Sequence, residues 1–360
     1  MTGAAILEGD VVRVELADGT RAALHVLALR DGCPCPDCRH PVSGQRLFES
    51  SRVLRGLRAV GAAVSPEEAL VVEWSDGHRS VFPAAWFADE PPRALRRWSS
   101  ALAGTLPEHG WADVSREERA RAAWLRDAAE LGFSLLHGVP VEPGFVDVVA
   151  GLFGAVRETN YGRVFDVSVV VGATNLADTA LPLSPHTDNP YREPTPTLQL
   201  LHCLASEVAG GETVLVDGFA VVEELLNRDP DALATLAREP IRYAYRDECA
   251  DLWTDVPVVS LDPQGAVVAL HLNNRSKSVP QGDPERVAAW YEAYLALLEL
   301  VESPELQVVV RLEPGDLVLF DNLRILHGRT GFAGTGTRRL QGCYADRDGL
   351  LSTLALLERP

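Results

Sequence analysis

The sequence is poor in basic residues and has no long apolar run. Lysine and arginine total 33 against 51 aspartates and glutamates, a formal charge of -18 at neutral pH. Such a chain repels phosphate backbones and has no Lys/Arg-rich stretch, so we expect no nucleic-acid partner. No apolar run reaches the roughly 18 to 20 residues of a membrane span, so we expect no membrane helix. The first residues do not resemble an export signal, so we expect a cytoplasmic protein.

Cysteine is also scarce, with six residues in a chain of 360. Cys33, Cys35 and Cys38 share one proline-containing loop and the other three are scattered, which is unlike a disulfide framework. The cluster is either a set of free thiols or a metal site, and its density favours a metal. One histidine would complete a closed, structural zinc site. His40 is the local candidate, but we prefer His78 because a distant ligand closes the fold and not merely a loop.

The N-terminal region has the alternation of half-buried strands. The segments VVRVEL and AALHVLALR flank a DG turn, and LVVEW and RSVF flank a second one, so we predict two hairpins. We therefore expect a small, β-rich, zinc-binding domain over residues 1–100.

The second domain is expected over residues 101–360. A proline-rich stretch at 91–92 and the small or charged residues through Gly110 predict a linker. Ser115 and Glu118 have the spacing of a capping box, which predicts the start of a helix.

An H-x-D pair, His186 and Asp188 in SPHTDNP, lies in this second domain. Residues two apart in an extended segment project from the same side, so both can face one ion. Such a pair also arises by chance, as a loop histidine beside a turn-forming aspartate, and a further ligand is required. His327 provides it, shortly after the apolar strand LVLF. Two imidazoles and one carboxylate leave three positions on Fe(II) for a 2-oxo acid and O2, which predicts an oxygenase.

Two adjacent arginines follow on the next predicted strand. Either Arg338 or Arg339 could pair with the distal carboxylate of 2-oxoglutarate through a bidentate, charge-assisted contact. Neighbours on a strand point to opposite faces, so only one of them can face the iron. Spacing alone does not decide between them, since either could also be a surface arginine.

Several segments together carry a resemblance to a known family. They are LRDGCPCPDCRHPVSGQR, WSDGH, LLHGVP, NYGRVFDV, HTDNPY, LQLLHC, GGETVLVDGF, NNRS, FDNLRILHGR and RRLQGCYADRDGL. With these segments the chain resembles the gamma-butyrobetaine hydroxylase and trimethyllysine hydroxylase family, within the taurine dioxygenase superfamily, over nearly its whole length.

The resemblance implies a mostly β fold with flanking helices, in which a double-stranded β-helix (jelly-roll) catalytic domain follows a small zinc-binding domain. It also implies the chemistry, which is hydroxylation of an unactivated C–H bond with conversion of 2-oxoglutarate to succinate. The implied site residues are His186, Asp188 and His327 for iron, Arg338 for 2-oxoglutarate, and Cys33, Cys35, Cys38 and His78 for zinc.

The substrate residues match the family less completely. In the family a quaternary ammonium group lies among aromatic rings, and Tyr161, Phe165 and Tyr344 match those positions. Phe165 stands where butyrobetaine enzymes have tryptophan, and Asp178 stands where they have tyrosine; Asp178 either faces a cation or is a solvated loop residue.

The opposite end of the expected substrate is anionic. The matching or neighbouring positions there are Asn175, Asn274 and Arg275, and Arg275 suits a carboxylate or phosphonate unless it is only a surface residue.

The expected partner is a small zwitterion similar to gamma-butyrobetaine. The alternatives are another quaternary ammonium compound, an amino acid or an aminophosphonate. A catalytically silent jelly-roll binding protein is disfavoured by the complete ligand set, and a zinc hydrolase by the closed cysteine site. An amphipathic helix is predicted after Asp283, and its aromatic residues pack either on the catalytic domain or in a homodimer.

Overall fold

The computed structural model describes residues 3–88, 94–168, 179–333 and 336–359. The chain divides into two compact units, Met1–Pro92 and Arg93–Pro360. Trp98, which the sequence placed in a linker, is buried in the second unit, where its indole N–H donates to the carbonyl of Leu131 at 2.7 Å. Residues 94–110 are therefore part of that unit, because burial of Trp98 and strand pairing at 108–110 hold them there.

The N-terminal unit consists of two small antiparallel sheets, ordered β1-β2-β3 and β4-β5-β6, around one apolar cluster. A 3-10 turn covers Ala84–Phe87. The elements are β1 (Ala4–Glu8), β2 (Val11–Glu15), β3 (Arg21–His25), α1 (Val26–Asp31), α2 (Ser50–Val53), β4 (Ala59–Val64), β5 (Leu70–Trp74) and β6 (Arg79–Phe82).

Both predicted hairpins are present, as β2-β3 and β5-β6, but the first is shorter than predicted. The segment predicted as one strand through Arg30 becomes helix α1 after His25. Val26, Leu29 and Arg30 are buried at helical spacing, and the His25 ring accepts the N–H of Leu27 at 3.1 Å. Helical burial and this cap end the strand at His25.

The second unit combines two larger sheets with seven helices among its described residues, and 3-10 turns cover Ser100–Gly104 and Pro304–Leu306. Its first elements are β7 (Glu108–Gly110), α3 (Trp111–Val114), α4 (Glu118–Leu131), β8 (Phe133–His137), α5 (Phe145–Ala150), β9 (Val156–Arg157), β10 (Phe165–Ser168), β11 (Leu183–His186), β12 (Leu198–Ser206), β13 (Ala209–Gly210) and β14 (Thr213–Asp217). They are followed by α6 (Gly218–Arg228), α7 (Pro230–Arg238), β15 (Pro240–Arg246), β16 (Asp251–Pro257), β17 (Val259–Leu261), β18 (Val267–Leu270), α8 (Pro284–Glu302), β19 (Gln307–Val310), β20 (Leu317–Asp321), β21 (Ile325–Arg329), β22 (Phe332–Ala333), β23 (Arg338–Ala345) and α9 (Arg347–Leu357).

The major sheet has the order β10-β23-β12-β20-β8-β7, with β9 paired to β23, and the minor sheet has the order β11-β21-β14-β19. One buried cluster contains apolar side chains of both sheets, including Leu201 and Leu135 from the major sheet and Leu215 and Val308 from the minor sheet. Burial of these side chains joins the two sheets into one core.

The outer side of the major sheet is covered by α4, α5 and α9, whose buried residues share a cluster with β12 and β20. Helix α4 does not begin with the predicted capping box. Ser115 instead ends the short helix α3 and donates to the carbonyl of Ala112, while Glu117 precedes α4 without a side-chain cap. The predicted helix after Asp283 is present as α8, and its Trp290 and Tyr294 are buried in this unit.

Among the described helices, none combines the length and apolarity needed to cross a bilayer.

Candidate active site

The predicted iron ligands lie at neighbouring strands of the minor sheet. His186 ends β11 and is paired directly with His327 on the antiparallel strand β21, so that the two ring centroids are 4.4 Å apart. Asp188 follows two residues later, with its carboxylate 3.3 Å from His186 Nε2 and 3.8 Å from His327 Nε2. One donor atom from each residue lies within 4.8 Å of the other two, close enough to bind a single ion.

Three side chains orient the Asp188 segment. Gln199 Nε2 and the hydroxyl of Tyr344 each donate to Asp188 Oδ2 at 3.0 Å. Asn322 accepts the Asp188 N–H at 2.8 Å and donates to its carbonyl at 2.9 Å. These bonds satisfy Oδ2 and leave Oδ1 for a metal, as outer partners of a ligating carboxylate commonly do.

The local hydrogen bonds and burial favour the protonation states that a metal requires. His186 Nδ1 donates to the carbonyl of Ser184 at 2.9 Å, so Nε2 presents its lone pair. Burial, together with the neighbouring His186, lowers the pKa of His327 to about 3, so this ring is neutral. The Asp188 carboxylate accepts hydrogen bonds from Gln199 and Tyr344, and such donors favour its ionised form.

These residues line a cavity of about 560 Å³, within the range of small-molecule sites. Strands of both sheets and the β15-β16 hairpin contribute to its walls. The described lining residues that concern the site are Tyr161, Phe165, His186, Asp188, Tyr191, Gln199, Thr213, Tyr245, Asp247, Asn273, Arg275, His327, Arg338 and Tyr344.

The structure distinguishes the two adjacent arginines. Arg338 is only 8% exposed and lines the cavity, where its Nε and Nη2 donate to the carbonyl of Gly211 at 3.2 and 3.1 Å. Arg339 is not among the described lining residues, and it pairs with the exposed Asp166, at the rim of the cavity, at 2.7 Å. Gly211 has a φ of +77°, and a Cβ there would lie 2.9 Å from Arg338 Nε, so a side chain at this position would displace the guanidinium.

The predicted aromatic residues do meet in the wall of the cavity. Phe165 stacks on Tyr344 with a centroid distance of 5.0 Å and lies 6.2 Å from Tyr161. Two further rings, neither of them predicted from the sequence, extend this wall. Tyr245 stacks on Tyr191 at 5.2 Å and meets Tyr161 edge-on at 5.7 Å.

The signals for these two rings were weak. Tyr191 lies within the quoted HTDNPY segment, and Tyr245 lies in an alternating strand. Neither position alone indicates that the side chain faces a cavity.

The residues predicted for the anionic end are only partly brought together. Arg275 lines the cavity, whereas Asn274 is exposed and is not among the described lining residues. Asn273 lines the cavity instead, because its Nδ2 donates to the carbonyl of Thr187 at 2.9 Å and draws its side chain inward. Asn175 and Asp178 lie outside the described residues.

A second cluster of potential metal ligands is found in the N-terminal unit. Nε2 of His78 lies 3.4, 3.7 and 3.6 Å from the Sγ atoms of Cys33, Cys35 and Cys38 respectively. In a tetrahedral zinc site with ordinary bond lengths, the nitrogen and sulfur ligands are separated by about 3.6 Å. The geometry therefore fits zinc, and His40 does not compete, since its Nδ1 faces Ser43.

Arg30 lies beside this cysteine cluster. It is 5% exposed, and its Nη1 donates to Cys38 Sγ at 3.1 Å. The nearest carboxylate that pairs with it among the described residues is Asp76, at 3.8 Å. A buried guanidinium beside thiolates offsets their negative charge.

Two imidazoles and one carboxylate that line a cavity are the ligand class of non-haem iron oxygenases. The chain belongs to the taurine catabolism dioxygenase TauD, TfdA family, which it matches over residues 100–344. Residues 6–88 match the family described as gamma-butyrobetaine hydroxylase-like, N-terminal.

Two curated relatives extend over almost the whole chain. The gamma-butyrobetaine dioxygenase of Pseudomonas sp. (strain AK-1) is 36% identical over 97% of this chain and 94% of the relative. The human gamma-butyrobetaine dioxygenase is 32% identical over 92% of this chain and 90% of the relative.

A solved structure of similar fold is the non-heme iron oxygenase OrfP in complex with Fe and alpha-ketoglutaric acid. It is 20% identical, with a TM-score of 0.50 over 69% of this chain and 84% of that chain. At this identity the likeness concerns the fold alone.

Proposed function

We propose that this Fe(II)/2-oxoglutarate-dependent dioxygenase hydroxylates an aliphatic C–H bond of a small zwitterion similar to gamma-butyrobetaine, releasing succinate and CO2. The observation that carries the proposal is the convergence of His186, Asp188 and His327 in a cavity that is also lined by Arg338 and several aromatic rings. Membership of a dioxygenase family and the two gamma-butyrobetaine dioxygenase relatives support the reaction class and the type of substrate.

The proposed iron ligands are His186 Nε2, one oxygen of Asp188 and His327 Nε2. Bound Fe(II), with 2-oxoglutarate and O2, supplies the oxidising chemistry. Burial keeps the His327 ring neutral, the Ser184 carbonyl orients the His186 ring, and Gln199 and Tyr344 hold the carboxylate in one orientation. A fixed ligand geometry aims the reaction at one substrate carbon.

The proposed anchor for 2-oxoglutarate is Arg338. Its bonds to the Gly211 carbonyl fix the plane of the guanidinium and leave Nη1 for the distal carboxylate. Burial strengthens such a charge-assisted contact because water competes less.

The substrate is proposed to lie between the aromatic wall and Arg275. Tyr161, Phe165 and Tyr344 can face a quaternary ammonium group, a contact worth about 0.5 to 2 kcal/mol per well-placed ring. Arg275 offers a full positive charge to a carboxylate. The same arrangement also suits another betaine, an amino acid or an aminophosphonate, and a turnover assay with a panel of these compounds distinguishes them.

For the fold, we propose that the facing major and minor sheets form a double-stranded β-helix. We also propose that Cys33, Cys35, Cys38 and His78 bind structural zinc, which the matching ligand distances support. A four-ligand site has no open position and would stabilise the N-terminal unit without catalysis. Cytoplasmic location and homodimer formation stay predictions.

The test is a turnover assay on anaerobically reconstituted Fe(II) protein. Oxygen and 2-oxoglutarate are supplied with a panel of betaines, amino acids and aminophosphonates, and succinate and hydroxylated product are both measured. We expect stoichiometric succinate and product with at least one betaine. If every compound leaves succinate formation at the uncoupled background, the proposed substrate class is wrong.

A further inference from the structure

The β15-β16 hairpin contributes a part of the cavity that no sequence motif indicated. Tyr245, near the end of β15, lines the cavity and contacts both Tyr191 and Tyr161. Asp247, in the turn of the hairpin, lines the same cavity. The Tyr245 hydroxyl donates to Asp247 Oδ2 at 2.6 Å, a short contact typical of a hydroxyl bonded to an ionised carboxylate.

The hydroxyl hydrogens of the neighbouring tyrosines are also directed to protein acceptors. Tyr191 donates to Asn189 Oδ1 at 2.7 Å, so the 2.8 Å contact between Tyr191 and Tyr161 has Tyr161 as its donor. Tyr344 donates to Asp188 Oδ2. The hydroxyl hydrogens of these tyrosines are therefore already bonded, so the tyrosines offer aromatic rings and oxygen lone pairs, which attract a cation, and no donor for an anion.

The Asp247 carboxylate is held in place by the turn itself. Its Oδ1 accepts the backbone N–H of Cys249 at 2.7 Å and that of Ala250 at 2.6 Å. The Tyr245 hydroxyl and then these backbone donors lower the pKa of Asp247, so it is ionised at neutral pH.

We propose that Tyr245, with Asp247 hydrogen-bonded behind it, is the specificity-determining element that makes this enzyme prefer a cationic head group over a neutral one of equal shape. A phenol bonded to a carboxylate carries more electron density on its ring, which strengthens the attraction between the ring and a cation. The negative charge of Asp247 adds a direct electrostatic attraction for a cation at the cavity wall. This inference rests on the proposed betaine-like substrate.

A purely structural role for Asp247 predicts a different result. As a turn residue, Asp247 needs only an oxygen that accepts from Cys249 and Ala250, and asparagine retains that oxygen. Asp247→Asn therefore removes the charge while it preserves the turn. Asp255→Asn is the matched control, because Asp255 lies on the same hairpin, pairs with Arg242 at 2.7 Å and is not among the described residues of this cavity.

The experiment compares two probes on the full-length, Fe(II)-reconstituted enzyme. One is gamma-butyrobetaine and the other is 5,5-dimethylhexanoate, in which a neutral tert-butyl carbon replaces the trimethylammonium nitrogen. The ratio of their kcat/KM values measures the preference for a cation independently of shape. Since Asp247 is solvent-exposed, we expect Asp247→Asn to lower this ratio about three- to fivefold, mainly through a higher KM for gamma-butyrobetaine.

Tyr245→Phe should lower the same ratio, because it disconnects the ring from the carboxylate. Asp255→Asn should leave the ratio at the wild-type value. An unchanged ratio in Asp247→Asn, or an equal fall in Asp255→Asn, would overturn the inference while the proposed function stands. If the wild-type enzyme turns over no quaternary ammonium compound, both the proposed function and this inference fall.

Discussion

Replacing Arg338 with methionine tests the proposed 2-oxoglutarate anchor directly. Arg338 is buried at the cavity wall, and two of its N–H groups are already bonded to Gly211. Methionine has a similar length and fills much of the same space, so the change mainly removes the charge and the remaining donors. The co-substrate would then bring a carboxylate into a partly dry site without a partner.

The magnitude follows from burial. Truncating one partner of a buried, hydrogen-bonded charge pair costs about 2 to 5 kcal/mol. At about 3 kcal/mol, the KM for 2-oxoglutarate rises by roughly 150-fold. The maximal rate at saturating 2-oxoglutarate should change much less, because the proposed iron ligands and the substrate wall are untouched.

The neighbouring residue provides a control. The Arg339 side chain is 39% exposed and pairs with Asp166 at the surface. Such pairs contribute about 0 to 1 kcal/mol, so Arg339→Met should change the KM by less than about fivefold. Arg338→Lys, which keeps the charge without the bidentate geometry, should lie between the wild type and Arg338→Met.

The assay measures initial rates of succinate formation against 2-oxoglutarate concentration, with substrate and Fe(II) in excess. Circular dichroism checks that each variant is folded. A normal KM in Arg338→Met together with a raised KM in Arg339→Met would refute the assignment and identify Arg339 as the anchor.

Three further predictions concern the metal sites and the core. Arg30→Gln should weaken zinc binding about 10- to 100-fold, measured by competition with a chromophoric chelator, because the Cys38 thiolate loses its charged donor. Arg46→Gln changes a more exposed neighbour and should leave zinc affinity at the wild-type value. An Arg30→Gln protein that binds zinc as tightly as the wild type would contradict the reasoning. Arg324→Met should lower the free energy of unfolding of the second unit by about 3 to 5 kcal/mol in urea titrations, since the buried Asp217 carboxylate loses its charged partner; a loss below about 1 kcal/mol would show that the pair is dispensable. His186→Ala should abolish Fe(II) binding by metal analysis as well as turnover, and retained turnover would exclude this residue as a ligand.

Short-range patterns in the sequence predicted much of the local structure. The turn at Asp76-Gly77 was correctly predicted between two alternating strands, and the helix after Asp283 was also correct, because turn residues and side-chain periodicity act over a few neighbours. The same reasoning failed at Ala22–Arg30, where burial against the rest of the N-terminal unit favours a helix after His25. It also failed at Trp98, because the small and charged residues around this tryptophan are typical of a linker, whereas the structure buries its ring.

The sequence by itself determined the chemical types at the candidate site: the H-x-D pair with a later histidine, the cysteine cluster and the two adjacent arginines. Only the tertiary structure decided that Arg338 lines the cavity while Arg339 pairs at the surface, and that Tyr245 joins Tyr161 in one wall. The physical reason is distance along the chain. Cavity walls are built from contacts between residues far apart in sequence, and the twist and register of the two sheets, which no local pattern records, determine which side chains meet.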